Sequence, residues 1–220
     1  MSLLVPLYVH PAEDPGAWAL LIGAASRTYA VVLNPASGPG PRPDPAFTAA
    51  AAALRAAGAR LLGYVDTAYG ARDAAEAHYE MLRYQEWYGA DGCFLDRVSA
   101  GVEGLRGCRR LVRSLRRLGA GTVVLNPGVH PAPGYLRLAD LVVTFEGDWS
   151  TYVTRFSRPG WTARHPPERF CHLVHAVPEA LVPLAVRTAH DRGAAVCGPV
   201  TGELPNPWSR PTPALTAPPP

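Results

Sequence analysis

Residues 91–97 read Asp91-Gly92-Cys93-Phe94-Leu95-Asp96-Arg97, an apolar run that ends abruptly in an acid followed by a base. Such a run is too short for a helix and suits a strand buried on both faces. Runs of the same kind recur outward from it at Leu3 to Val9, Tyr29 to Leu33, Arg60 to Val65, Thr122 to Leu125, Leu141 to Phe145, Phe170 to His175 and Ala194 to Cys197. With Gly92 to Leu95 they number eight. Helical patterns lie between them, among them Asp44 to Ala57, rich in alanine with Phe47 and Leu54, and Arg72 to Trp87, while the links after the fifth and sixth runs are short and irregular. Uninterrupted apolar strands separated by helices imply a parallel sheet covered on both faces. Eight such units favour a single compact (β/α)8 TIM-type barrel over an open doubly wound sheet, although 220 residues is short for that fold. The barrel is expected to occupy residues 1–208. Residues 209–220, rich in proline, read as a flexible tail.

Composition narrows the classes of function. A chain that is 48% hydrophobic can bury one sizeable core. Every basic residue is arginine, a bias that suggests a GC-rich coding sequence, and the net charge of +3 is modest. The dense basic run from Arg106 to Arg117 alternates at helical spacing with Leu105, Cys108, Leu111, Val112, Leu115 and Leu118, so its arginines form the solvent face of an amphipathic helix. No aromatic interleaving or reading motif points to nucleic acid. Cys93, Cys108, Cys171 and Cys197 are scattered, without CxxC or zinc spacing, and read as buried thiols. No metal and no cofactor are expected, since the histidines form no HxH or HExxH arrangement and Ser37-Gly38-Pro39-Gly40 is a turn and no phosphate loop. The N-terminus MSLLVPLYVHP has neither a basic n-region nor a long apolar h-region, and no run is long enough to span a membrane. The chain as given is expected to be cytoplasmic; an exported mature chain would read the same.

Chemistry in a (β/α)8 barrel collects where strands hand over to loops at the C-terminal mouth. The residues there are Tyr8 and His10, Asn34, Asp66 and Tyr69, Asp96 and Arg97, Asn126, Glu146 and Asp148, His172 and His175, then Thr201, Glu203, Asn206 and Trp208. Carboxylates, amides and aromatic rings are the palette of a sugar site. Asn34-Pro35 and Asn126-Pro127 are equally consistent with turns, Tyr8 and Tyr69 with rim packing, and the two histidines with a structural role. Asp14, Asp44 and Asp73 stand at helix starts and are explained as caps. Asp96 and Glu146 are left as the candidate chemical pair, because a carboxylate placed beside a core strand costs several kcal/mol unless it has a partner or a task. Asp96 and Arg97 would point to opposite sides if the strand continued through them, which argues against a simple ion pair between neighbours.

Several segments carry a family resemblance. VPLYVHP (5–11), VVLNPASGPG (31–40) with Pro43-Asp44, LLGYVDTAYGAR (61–72), GCFLDR (92–97), VVLNPG (123–128), VVTFEGDWSTY (142–152) and LPNPW (204–208) resemble, in order, the motifs of the spherulation-specific (spherulin 4) family. That resemblance covers about residues 3–208. It implies a (β/α)8 barrel with glycoside hydrolase activity on α-1,4-linked galactosamine or N-acetylgalactosamine polymers. The family site is built on an Asp-Glu dipeptide at the end of strand four, within a G-x-F-x-D-E pattern, and on a glutamate at the end of strand six. Asp96 matches the first acid and Glu146 the last, while Arg97 stands where the second acid is expected. The implied roles are Asp96 as nucleophile or base and Glu146 as general acid, with Tyr8, Asn34, Asp66, Tyr69, Arg97, Asn126 and Trp208 as substrate contacts. The implied partner is a polysaccharide or oligosaccharide, with no nucleic acid and no membrane. Arg97 motivates the alternative, a weakened barrel that binds glycans without cleaving them. An enzyme acting on some other small substrate is a third reading, because barrels host many chemistries.

Overall fold

A computed structural model describes residues 2–216. Eight parallel strands close into one barrel in sequential order: β1 (Ser2–Pro6), β2 (Thr28–Leu33), β3 (Leu61–Asp66), β4 (Gly92–Asp96), β5 (Thr122–Leu125), β6 (Leu141–Asp148), β7 (Phe170–His175) and β8 (Val196–Pro199). Six helices cover it: α1 (Pro15–Gly23), α2 (Pro45–Ala56), α3 (Ala74–Tyr88), α4 (Leu105–Arg117), α5 (Trp149–Arg155) and α6 (Val182–Asp191). The β5–β6 link carries only a 3-10 turn, Pro133–Arg137. Among the described residues no helix is long and apolar enough to cross a membrane.

Alternation along the strands divides the core in two. Leu4, Val32, Leu62, Phe94, Val124, Val143, Cys171 and Leu173 fill the barrel interior, whereas Val31, Leu33, Leu61, Cys93, Leu95, Val123 and Val142 face the helices. The interior is therefore a packed column closed above by aromatic side chains, as this fold requires. Helix starts follow local rules: Asp14, Asp44 and Asp73 accept from the backbone N–H groups of Ala17, of Ala46 and Phe47, and of Ala75, and Pro15 and Pro45 occupy first turns. The three acids set aside as caps are caps.

Several boundaries differ from expectation: β6 runs on to Asp148, β8 lies at Val196–Pro199, and both ends of the chain depart as well. Strand β1 stops at Pro6, and Tyr8 donates its backbone N–H to the Trp208 carbonyl at 2.7 Å, so the chain leaves the ladder before Val9. The proline-rich end is no flexible tail as far as it is described. Thr212 is buried and bonds the Pro199 carbonyl, the Leu215 carbonyl accepts from Arg27 at 2.7 Å, and Ala214 and Leu215 belong to the outer core. Prolines restrict the unfolded chain, so packing such a segment costs less entropy, and Leu215 repays it by apolar burial. Residues 217–220 lie outside the described residues.

Gly92 opens the decisive strand for a steric reason. A Cβ there would lie 1.8 Å from the Thr122 carbonyl oxygen of β5. Gly92→Ala is therefore expected to cost about 3 kcal/mol or more, since neither partner is a side chain that can swing away. Urea denaturation checks it, with a fall in midpoint at unchanged slope as the expected result.

Candidate active site

Asp96, the last residue of β4, and Asp66, the last of β3, face each other in register at the C-terminal mouth. Asp96 lies on the same side of its strand as Phe94, so it stands directly above the interior column. Tyr64, two residues before Asp66 on the inward face of β3, donates its O–H to Asp96 Oδ2 at 2.9 Å. Asn126, just past β5, donates from Nδ2 to Asp96 Oδ1 at 2.8 Å and from the same nitrogen to Glu146 Oε2. Its side-chain oxygen accepts from the Gly128 backbone N–H at 3.0 Å, which fixes the amide orientation. One buried amide thus ties the two acids together, and the turn role and the site role of Asn126 coexist.

Glu146 reaches the mouth through an irregularity in β6. The pairing of β6 with β7 shifts between Val143 and Phe145, so Val143 matches Cys171, Phe145 matches His172 and Glu146 matches Leu173. Cys171 and Leu173 point into the barrel. The extra residue reverses the parity of the strand, sending Phe145 outward against Tyr152 and Phe156 and turning Glu146 inward. Beyond it, Asp148 caps α5 by accepting from the Thr151 N–H at 2.8 Å, which accounts for that acid structurally. His172 points outward, its Nδ1 paired with the Tyr152 hydroxyl at 2.7 Å; burial lowers its pKa to about 3, so it is a neutral packing residue.

The electrostatics separate the pair. Burial raises the Glu146 pKa to about 7, with Asp96 adding to the rise and the Asn126 hydrogen bond opposing it. Burial also raises Asp96 above the ordinary carboxylate range, against the hydrogen bonds from Tyr64, the Arg97 backbone and Asn126. Glu146, raised to about 7, is the acid suited to hold a proton near neutrality, and Asp96 takes the hydrogen bonds that favour its ionised form.

Arg97 does not point at this pair. Its backbone is left-handed, with φ of 52°, so the strand ends there and the side chain turns to the rim. Nη1 bonds Asp66 Oδ2 at 2.9 Å, and the guanidinium lies over the Tyr69 ring at 5.2 Å from its centroid. Thr67 Oγ1 donates to the carbonyls of both Asp96 and Arg97, locking the two loops together.

The other expected contacts divide. Tyr8 packs edge-on against Tyr64, with ring centroids 5.9 Å apart, beside the acids. Tyr69 is 62% exposed at the rim. Trp208 is only 6% exposed and belongs to the interior column, so its main role is to close the top of the barrel. Asn34 spends its side-chain oxygen on the Gly38 N–H at 2.9 Å, closing the loop after β2, and among the described residues no hydrogen bond joins it to the acids. Sequence reading missed Tyr64, although the period of two from Asp66 marks it on the same face. Among the described residues no group of three or more His, Cys, Asp or Glu is placed to share a metal ion.

Fold and site together define a (β/α)8 barrel with a linked carboxylate pair above its interior column. The model of the spherulation-specific family 4 matches residues 2–196, and the chain belongs to that family. It is 35% identical to Spherulin-4 of Physarum polycephalum over 162 residues, which are 71% of this chain and 48% of that protein, so the chain spans about half the length of this relative. The crystal structure of Aspergillus clavatus Sph3 in complex with GalNAc superposes with a TM-score of 0.83 at 27% identity, over 98% of this chain and 94% of that one. A chitinase from Rhizomucor miehei (TM-score 0.57, 11% identity, 95% and 98% covered) and a deoxyribose phosphate aldolase from Aeropyrum pernix (0.56, 17%, 90% and 85%) share the fold alone.

Proposed function

We propose that this protein is a glycoside hydrolase acting on α-1,4-linked galactosamine or N-acetylgalactosamine polysaccharide, with Glu146 as general acid and Asp96 as nucleophile. The observation that carries the reading is the linked pair itself. Burial raises the Glu146 pKa to about 7, Asp96 accepts hydrogen bonds from Tyr64 and Asn126 that favour its ionised form, and both sit on the mouth side of the interior column. Glycoside hydrolysis asks for that division of labour. Similarity to a relative crystallised with GalNAc supports the sugar class.

The pair also supports a retaining course. Both carboxylates reach one nitrogen of Asn126, so their nearest oxygens are at most about 6 Å apart, two hydrogen-bond lengths. Retaining pairs stand at about 5 to 5.5 Å, whereas inverting pairs leave roughly 6.5 to 9.5 Å for a water. In the retaining course Asp96 attacks the anomeric carbon as Glu146 gives its proton to the leaving oxygen. Glu146, now ionised, then takes a proton from the water that releases the sugar. The test is reducing-end release from partially deacetylated α-1,4-galactosaminogalactan, followed by proton NMR. The α-anomer is expected first, and initial β-anomer would refute retention.

The glycan-binding alternative drew its force from a cation beside the acids. Arg97 bonds Asp66 and stacks near Tyr69, and burial leaves Glu146 raised, which together favour a working pair.

A further inference from the structure

Arg97 is held like a functional side chain. It shares the left-handed region with Ala68 (φ 45°) and Tyr69 (φ 56°), so three non-glycine residues of two facing loops sit in a conformation that L-residues seldom adopt. Such clusters persist where surrounding structure over-determines them, and they gather at ligand clamps. The clamp here is the Thr67 hydroxyl on the Asp96 and Arg97 carbonyls, together with the Tyr69 N–H on the Arg97 carbonyl at 2.7 Å.

The chemistry it presents is specific. The Arg97 side chain is 49% exposed, and only Nη1 has a partner, Asp66, among the described residues. The rest of the guanidinium fork faces solvent beside an exposed tyrosine ring. A fork with one free edge matches a carboxylate in a way a point charge does not. Asp66 cannot serve a sugar ammonium well, because Arg97 already neutralises it and repels a second cation. From Asp66 and Tyr69 a cleft of about 470 Å³ runs between α3 and α4, lined by Arg106 and Arg110 as well as Asp73 and Glu103. Arg106 and Arg110 are both exposed, and neither forms an ion pair among the described residues.

We infer that the rim formed by Asp66, Arg97 and Tyr69 is a subsite for a carboxylate-bearing sugar, Tyr69 stacking on the ring and the free edge of Arg97 taking the carboxylate. The inference rests on the glycan-active reading above and extends it at one position: beside the amino-sugar units that reach the acids, the rim takes a neighbouring carboxylate-bearing unit in preference to one with a free amino group.

The test is calorimetric binding of two probes, unsulfated chondroitin oligosaccharides, which alternate N-acetylgalactosamine with glucuronate, and the same oligosaccharides with carboxyls reduced to alcohols. An N-acetylgalactosamine oligomer is run beside them. The acid form is expected to bind about 10- to 100-fold tighter than the reduced form, the worth of one charge-assisted bidentate contact. In Arg97→Asn, chosen because asparagine tolerates the left-handed backbone, that ratio should fall to about one, with Arg97→Lys in between. Thermal melts of the variants establish that they fold. If the N-acetylgalactosamine oligomer binds but the two chondroitin forms bind alike, the subsite is overturned and the glycan reading stands. A ratio that survives in folded Arg97→Asn also overturns it, and no binding to any of the probes overturns both.

Discussion

Glu146→Gln and Asp96→Asn are each expected to lower reducing-end release by about 10³-fold or more while the protein stays folded. Proton donation to a leaving oxygen contributes roughly 10² to 10⁴ in rate, and loss of a nucleophile removes the covalent route altogether. Both substitutions keep the size of the acid and at least one of its hydrogen bonds. Glutamine can still accept from Asn126, and asparagine can still accept from Tyr64 or Asn126 through its one oxygen. The two variants should separate with an activated substrate whose leaving group needs no proton: Glu146→Gln should recover much of the first step, Asp96→Asn none. Equal rates for wild type and either variant on the polymer would remove that residue from the mechanism. Full activity in both would leave a barrel that works through other groups.

Activity should also fall on the alkaline side, about tenfold for each pH unit above 7. Glu146 is useful as an acid only while protonated, and its pKa of about 7 sets that limb. The acid limb belongs to Asp96, which must be ionised and whose own pKa is raised by burial. The profile of kcat/KM is therefore a bell with its maximum between the two. The same shift has a stability cost. The folded protein keeps the Glu146 proton up to about pH 7, whereas the unfolded chain releases it near 4.3, so unfolding releases a proton between those values and stability falls as pH rises through them. Allowing for the partial exposure of Glu146, the loss is about 2 kcal/mol by pH 8. Glu146→Gln, which has no proton to lose, should melt a few degrees above wild type at pH 8 and level with it at pH 4. A variant that melts lower at pH 8 would show that folding does not raise the Glu146 pKa.

The core of this chain and its candidate site draw on every second residue of the same strands. Phe94 and Asp96 share one face of β4, as Leu62, Tyr64 and Asp66 share one face of β3. Apolar residues low on that face make the column, and polar ones high on it make the site. That layout explains why Tyr64 and Asn126 matter: they satisfy carboxylate oxygens that would otherwise be buried without partners.

What the sequence determined by itself is what short-range patterns dictate. Eight apolar runs separated by helical periodicities specify the barrel, because a strand buried on both faces leaves no polar position until its end. The same patterning put Asp96 at the mouth, and the N-cap rule removed Asp14, Asp44 and Asp73 from contention. The tertiary structure decided the rest. Alternation counted from Val143 would send Glu146 toward the helices; only its register against β7, set by packing of Phe145 on α5, turns it inward. Arg97 could have faced the acids or the rim, and a left-handed backbone held by Thr67 chose the rim. The proline-rich end looked free because its composition has no periodicity, yet Leu215 finds apolar cover and its carbonyl finds Arg27, 188 residues away in sequence. Each of these outcomes depends on a partner distant along the chain, and a pattern of neighbours carries no record of who that partner is.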